Sequence, residues 1–196
     1  MGKKILFISG SPRKGSNTRF VMRRALEAAR AAGAETAELD AADLQYAAPG
    51  CTGCLGCKKS GEFRCVIDDE VGRIAGELPL YDTIVLATPL YWLSWTAQLK
   101  ILIDRIYCLI QFDSGGIISP LRGKTLALIA TGGGETAGNL DLLEEQALCT
   151  AKIVGARFKS LCLPLVPVEE GAIADDPEAM ARAEQFGREL AGDPGD

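Results

Sequence analysis

The sequence predicts an α/β fold, a three-layer sandwich in which a five-stranded parallel sheet has helices on both faces. Two observations predict it. Apolar strand-like runs alternate five times with helical patterns. Two of those runs, Ile84-Val-Leu-Ala87 and Leu126-Ala-Leu-Ile129, are apolar without alternation, as strands covered on both faces should be. At 196 residues the chain fits one domain with a substantial core.

The expected strands are Lys4–Ser9, Glu35–Asp40, Thr83–Thr88, Thr125–Thr131 and Phe158–Leu165, and the helices lie near Asn17–Ala32, Asp68–Leu78, Ser94–Ile110, Gly138–Val154 and Pro177–Ala191. Gly33 is placed to stop the first helix and Pro177 to start the last. The domain is expected to span residues 1–191, with a frayed tail at 192–196. Two irregular segments, Ala41–Val66 and Gln111–Gly123, exceed normal connection lengths and are expected to have functional roles. The 94–110 helix shows two apolar stripes. Trp95, Leu99, Leu102, Ile103, Ile106 and Ile110 form the core face, and Ala97, Ile101 and Cys108 lie nearly opposite, bordered by Lys100, Asp104 and Arg105.

Composition removes several function classes. A net charge of −5 with no evident basic face argues against a nucleic-acid partner. No apolar run free of charges reaches membrane-spanning length, so no membrane role is expected. Met-Gly-Lys-Lys runs straight into a strand without a signal-peptide pattern, and the cytoplasm is the expectation. Seven cysteines there are thiols or ligands rather than disulfides. There is no histidine, which removes Ser-His-Asp and Cys-His catalysis, imidazole bases and His-ligated metals together.

The most informative stretch is Ser9-Gly-Ser-Pro-Arg-Lys-Gly-Ser-Asn-Thr18, which joins the first strand to the first helix. A helix N-terminus offers unpaired N–H groups and a partial positive charge, an anion cradle. Ser9, Ser11, Ser16, Asn17 and Thr18 add donors and Arg13 a planar cation. Gly15 is followed by Ser-Asn, not Lys-Ser/Thr, so this is no P-loop, and Gly10 and Gly15 alone do not make a dinucleotide fingerprint. With strand order 2-1-3-4-5, ligands belong at the carboxyl ends where the order reverses. There the cradle meets Pro89-Leu-Tyr-Trp92 and Thr131-Gly-Gly-Gly134. Tyr91 and Trp92 offer an aromatic wall for a flat ring or, alternatively, anchor the next helix. The glycines let backbone N–H groups reach a ring edge or, alternatively, form a flexible turn.

Ser9–Thr18, the Cys51–Cys65 cluster, Asp68-Asp-Glu70, Thr88-Pro-Leu-Tyr-Trp92 and Leu99-Lys-Ile-Leu-Ile-Asp-Arg105 together resemble the NADPH-dependent FMN reductase family, nearest its iron–sulfur flavoprotein branch. The resemblance implies a flavodoxin-like fold, bound FMN, NADH or NADPH as donor and a homodimer or homotetramer. Its acceptor would be a small molecule: a quinone, nitro or azo compound, or free flavin. It implies that Ser9, Ser11, Arg13, Ser16, Asn17 and Thr18 hold the phosphate. Pro89, Leu90, Tyr91, Trp92, Thr131, Gly132 and Gly133 would line the isoalloxazine, with the N–H groups of Gly132 and Gly133 near its carbonyl edge. It also implies that a partner subunit covers the second stripe of the 94–110 helix, with Asp104 and Arg105 pairing at the seam; the alternative cover is the chain's own 111–123 loop.

Cys51, Cys54 and Cys57 are two residues apart in succession, and Cys65 follows after seven more. Such spacing suits a [4Fe–4S] cluster, each thiolate taking one corner. Free or regulatory thiols, and zinc, are the alternatives, zinc sites usually using two separated cysteine pairs. The iron–sulfur branch uses the same triplet with a typically shorter last gap. With a cluster the protein would be an electron carrier fed by ferredoxin; without turnover, a redox-sensing flavin module. Binding of a phosphosugar or nucleotide without FMN requires the aromatic loop to be purely structural. Cys108, Cys149 and Cys162 fall in apolar patterns and are expected in the core.

Overall fold

The computed structural model describes residues 2–192. In chain order the elements are β1 (Lys4–Ser9), α1 (Asn17–Ala31), β2 (Glu35–Asp40), α2 (Gly56–Ser60), α3 (Glu70–Glu77), β3 (Thr83–Pro89), α4 (Ala97–Arg105), β4 (Gln111–Asp113), β5 (Gly116–Ile118), β6 (Thr125–Thr131), α5 (Asp141–Val154), β7 (Arg157–Leu163) and α6 (Pro177–Gly192). The five long strands are all parallel, in the order β2-β1-β3-β6-β7, which is the expected 2-1-3-4-5 pattern, and β4 and β5 form a separate antiparallel hairpin. The fold is flavodoxin-like.

Alternation along the central strands assigns the two cores. Ile5, Phe7, Val85, Ala87, Ala127 and Ile129 pack against α1 and α6. Leu6, Ile8, Ile84, Leu86, Leu126 and Leu128 pack on the opposite face, against α3, α4 and α5. Successive side chains leave opposite faces, so strands buried on both faces are apolar throughout. Gly187 lets α6 approach α1 backbone to backbone: a Cβ there would stand 2.1 Å from the Ala25 carbonyl oxygen.

The expected long third helix begins later and breaks earlier. Tyr91 and Ser94 exchange backbone hydrogen bonds across a two-residue turn, and Thr96 caps α4, its Oγ1 accepting from Leu99 N at 3.4 Å. After Arg105 the chain tightens into a 3₁₀ turn over Ile106–Leu109, which carries Cys108 inward. Helix α5 starts at Asp141 because Gly138 is left-handed, at φ 69°. The Asp141 carboxylate takes the Gly138 and Asn139 N–H groups. The expected frayed tail lies, from residue 193 on, outside the described residues.

Candidate functional site

The carboxyl ends of β1, β3, β6 and β7 surround one open cleft of about 210 Å³. It is lined by Ser11, Arg13, Ser16, Asn17, Thr18, Pro89, Leu90, Tyr91, Thr131, Gly132 and Gly133, eleven of the thirteen residues expected around the cofactor. The strand order explains the convergence: β1 and β3 are neighbours whose connections leave in opposite directions.

The Ser9–Thr18 loop is held from below. Gly10 N donates to Ala87 O at 2.7 Å, and Thr96 Oγ1 donates to the Gly10 carbonyl at 2.6 Å. Ser16 caps α1, its Oγ accepting from Arg19 N at 3.3 Å. Ser11 Oγ accepts from Arg13 N at 3.2 Å, and the Thr18 and Thr131 hydroxyls meet at 2.6 Å, joining the cradle to the end of β6. Ser9 does not line the cleft, yet its hydroxyl is fully buried and has no hydrogen-bond partner. An enclosed hydroxyl without a partner is costly. At the head of a loop rich in hydroxyls and helix-terminal N–H groups, it fits a cradle that an anion completes.

Two polar side chains of the cleft are tied to the 164–171 loop. Asn17 donates through Nδ2 to Pro167 O and Glu169 O and accepts at Oδ1 from Ile173 N, so its amide ties down the 164–171 loop. Only its backbone N–H remains for the cradle. Arg13 donates through Nε to Glu170 Oε1 at 2.9 Å and through both terminal nitrogens to Val168 O. The 164–171 loop itself supplies Val166, Pro167 and Val168 to the cleft wall, which sequence reasoning missed. The rule that ligands sit at carboxyl ends applies to β7 as well, and that was the available signal.

Two expectations about the ring side are corrected. Trp92 is 99% exposed and is absent from the cleft lining. Trp92 and Leu93 occupy the turn between Tyr91 and Ser94 with φ of 47° and 61°, the two-residue hairpin geometry that usually needs Asn or Gly. The turn holds Tyr91 at the cleft and lifts Trp92 away from it. Gly132 cannot offer its N–H to a ring either, because it donates to Leu163 O at 3.1 Å within the β6–β7 connection. The Gly133 N–H has no acceptor among the described residues and is the available donor.

Lys14 and Arg19 brace the cradle against the end of β2 by ion pairs to Asp40. Burial pushes the Asp40 carboxyl up, but hydrogen bonds from Lys14 and Arg19 and the Ala42 N–H outweigh it and hold it below the usual carboxylate range. A depressed folded value means stability that is present above the unfolded value, about 3.9, and lost as the pH falls through the folded one. Asp40→Asn should therefore destabilise the protein at pH 7, and the gap from the native chain should narrow as the pH is lowered below 4 in urea-unfolding series.

The cysteine loop forms a second feature. Cys51, Cys54, Cys57, Cys65 and, unexpectedly, Cys108 all line one small cavity of about 20 Å³. Cys51 and Cys54 lie on an exposed turn, and Cys57 is buried at the start of α2. Gly53 N donates to Cys51 Sγ at 3.4 Å, and the Gly56 N–H, with the Thr52 hydroxyl, holds the Cys54 thiol below its ordinary range. Burial, with Cys65 and Cys57 nearby, pushes the Cys108 thiol up to about 12. Gly72 on α3 lets the far end of the loop pack closely, since a Cβ there would meet Ile67 O at 2.6 Å and Cys65 Cβ at 3.3 Å.

Arg105 corrects the expectation of a pairing at a subunit seam. Its side chain is 1% exposed and is bonded within its own chain to Gly50 O, Cys65 Sγ and Asp69, while Asp104 pairs with Lys100 at 2.5 Å. Cys108 likewise belongs to the interior and not to a second exposed stripe. Cys149 is exposed, its Sγ 3.4 Å from Glu145 Oε1, and Cys162 is half-buried, so of the three cysteines expected in the core only Cys108 is fully there.

Among the described residues, no three Cys, Asp or Glu side chains gather tightly enough to hold one metal ion. Ligands of a four-iron cubane each take a different iron and stand farther apart. The donor set, thiols with N–H groups directed at sulfur and a neighbouring cation, fits a cluster chemically. At about 20 Å³ the cavity is smaller than a cluster, so the thiols must separate to admit one. No helix among the described residues is long and apolar enough to cross a membrane.

Comparison with known proteins agrees with this geometry. An iron–sulfur flavoprotein of Methanosarcina thermophila is 36% identical over 139 residues, covering 69% of this chain and 66% of the relative, so the chain spans just under two thirds of that protein. In fold it is similar to an NAD(P)H:quinone oxidoreductase from Methanothermobacter marburgensis (TM-score 0.73, 16% identity, 97% of this chain and 100% of that one). It is likewise similar to an FMN-dependent NADH-azoreductase from Bacillus anthracis solved with FMN (TM-score 0.70, 16% identity, 99% and 100%). The sequence pattern of NADPH-dependent FMN reductases matches residues 3–156, and the chain belongs to that family, with FMN as its cofactor.

Proposed function

We propose that the protein uses NAD(P)H and bound FMN to reduce a small planar acceptor: a quinone, an azo or nitro compound, or free flavin. The observation behind this reading is the single cleft in which eleven expected cofactor residues meet. When bound there, FMN supplies two-electron acceptance from the nicotinamide and onward transfer to the acceptor. Ser11, Ser16, Thr18 and the first N–H groups of α1 would hold the phosphate, with Arg13 as the cation. Pro89, Leu90 and Tyr91 would seat the ring and exclude water from one side, and the Gly133 N–H would stabilise charge developing at the ring's carbonyl edge. No side-chain acid or base is needed, in keeping with the absence of histidine.

The test is oxidation of NADH and NADPH by the purified, FMN-loaded protein with quinone, azo and nitro acceptors. Turnover with at least one acceptor is expected; none with any acceptor, from protein that holds FMN, contradicts the reading. A second reading, an iron–sulfur flavoprotein electron carrier fed by ferredoxin, is favoured by the gathering of Cys51, Cys54, Cys57 and Cys65 at one cavity. It predicts a brown protein after anaerobic purification, with iron and sulfide in equal amounts, and slow nicotinamide oxidation. We further propose a homodimer or homotetramer that covers the exposed Trp92 and Leu93; a monomer in sedimentation would contradict it. Residence in the cytoplasm completes the proposal.

A further inference from the structure

Five thiols line the cysteine cavity, one more than the four irons of a cluster take as ligands. Cys65 and Cys108 are the two that stand outside the Cys51–Cys57 triplet, and what distinguishes them is Arg105. The Arg105 guanidinium is enclosed, and its donors reach the two ends of the cysteine loop and Asp69 beside it. Nη1 donates to Cys65 Sγ at 2.8 Å, and Nε donates at 2.7 Å to the carbonyl of Gly50, the residue directly before Cys51. Nη2 donates to Asp69 Oδ2 at 2.5 Å. Asp69 is itself fixed, accepting from Gly72 N at 2.7 Å and from Ala47 N at 2.9 Å. One cation therefore grips both ends of the cysteine loop. Among the described residues no N–H is directed at Cys108 sulfur.

We propose that Arg105 is the positioning residue of this pocket: it presents Cys65 as the fourth thiolate, leaves Cys108 a bystander, and raises the reduction potential of a cluster bound there. The inference rests on the second reading above. A cation held against a ligand sulfur at low dielectric favours the form with the extra electron. The planar fork also makes three differently directed bonds at once, which an ammonium group cannot reproduce.

The test is anaerobic reconstitution of the full chain with ferrous iron and sulfide, reading iron and sulfide per chain and the midpoint potential by redox titration. Cys108→Ala should match the native protein in both, and Cys65→Ala should lose iron and sulfide. Arg105→Gln should lower the midpoint, and Arg105→Lys, which keeps the charge, should fall between. Asp69→Asn removes the guanidinium's counter-charge and should raise the midpoint. Opposed shifts cannot come from a general loosening of the loop, and should Arg105→Gln fail to fold, Arg105→Lys and Asp69→Asn still carry the two signs. The proposal is overturned if the charge variants shift together or not at all, or if Cys108→Ala empties the pocket while Cys65→Ala keeps it filled. Native protein that takes up no iron and sulfide removes the second reading and this inference with it; a loaded native protein with unmoved variant potentials removes the inference alone.

Discussion

Gly10→Val is expected to weaken FMN binding more than 100-fold and to destabilise the protein by about 2–3 kcal/mol, the upper part of the range for overpacking. A Cβ at this position would stand 2.8 Å from Leu99 Cβ, 2.9 Å from Leu99 Cδ2 and 3.0 Å from Thr96 Oγ1. Leu99 Cβ is fixed to the backbone of α4 and is fully buried, so it cannot swing aside. The valine must push the loop off α4, breaking the Thr96 bond to the Gly10 carbonyl. The hydroxyls and N–H groups after Gly10 then no longer converge. A charge-assisted hydrogen bond contributes about 1.5–3 kcal/mol, so misplacing two of them accounts for the fold-change. Fluorescence titration of FMN and urea unfolding measure both effects; binding within threefold of the native protein would contradict the proposed cradle.

On the iron–sulfur reading, Cys54→Ala is expected to abolish the brown absorbance, and the bound iron and sulfide, of anaerobically purified protein while leaving FMN binding unchanged. Cys54 is the middle thiol of the triplet, and the Gly56 N–H at the entrance to α2 already favours its thiolate. Removing it leaves one iron corner without a protein sulfur, and Cys108, the remaining thiol of the cavity, is buried while Cys54 is exposed. The flavin cleft shares no lining residue with the cysteine cavity, so yellow colour should persist. Brown protein with full iron content in this variant would show that the ligand set is wrong.

The sheet was legible because each central strand carries an unbroken apolar stretch, and that pattern has few other meanings. The cradle was legible because its residues are contiguous. What failed depended on contacts distant in sequence. Trp92 reads as a ring wall beside Tyr91, but hydrogen bonds between Tyr91 and Ser94 turn it outward. Arg105 reads as surface charge on a helical wheel, yet the 48–69 segment folds over it, 36 to 57 residues away. Cys108 drops out of the helical pattern because the helix tightens after Arg105. The Phe112-Asp-Ser-Gly-Gly-Ile117 hairpin had a sequence signal, glycines between short apolar runs, that a reading of the segment as loop passed over. Its Gln111 holds the Cys57 and Glu62 carbonyls, so the hairpin braces the cysteine loop.

The direct measurement is a paired titration of the protein with FMN and with riboflavin, which differ only in the phosphate. Quenching of flavin fluorescence should give an affinity for FMN at least 100-fold above that for riboflavin, and Arg13→Ala with Ser16→Ala should erase most of that ratio by weakening FMN alone. Equal affinities for the two flavins, or no quenching by either, would mean that the loop from Ser9 to Thr18 does not grip a phosphate.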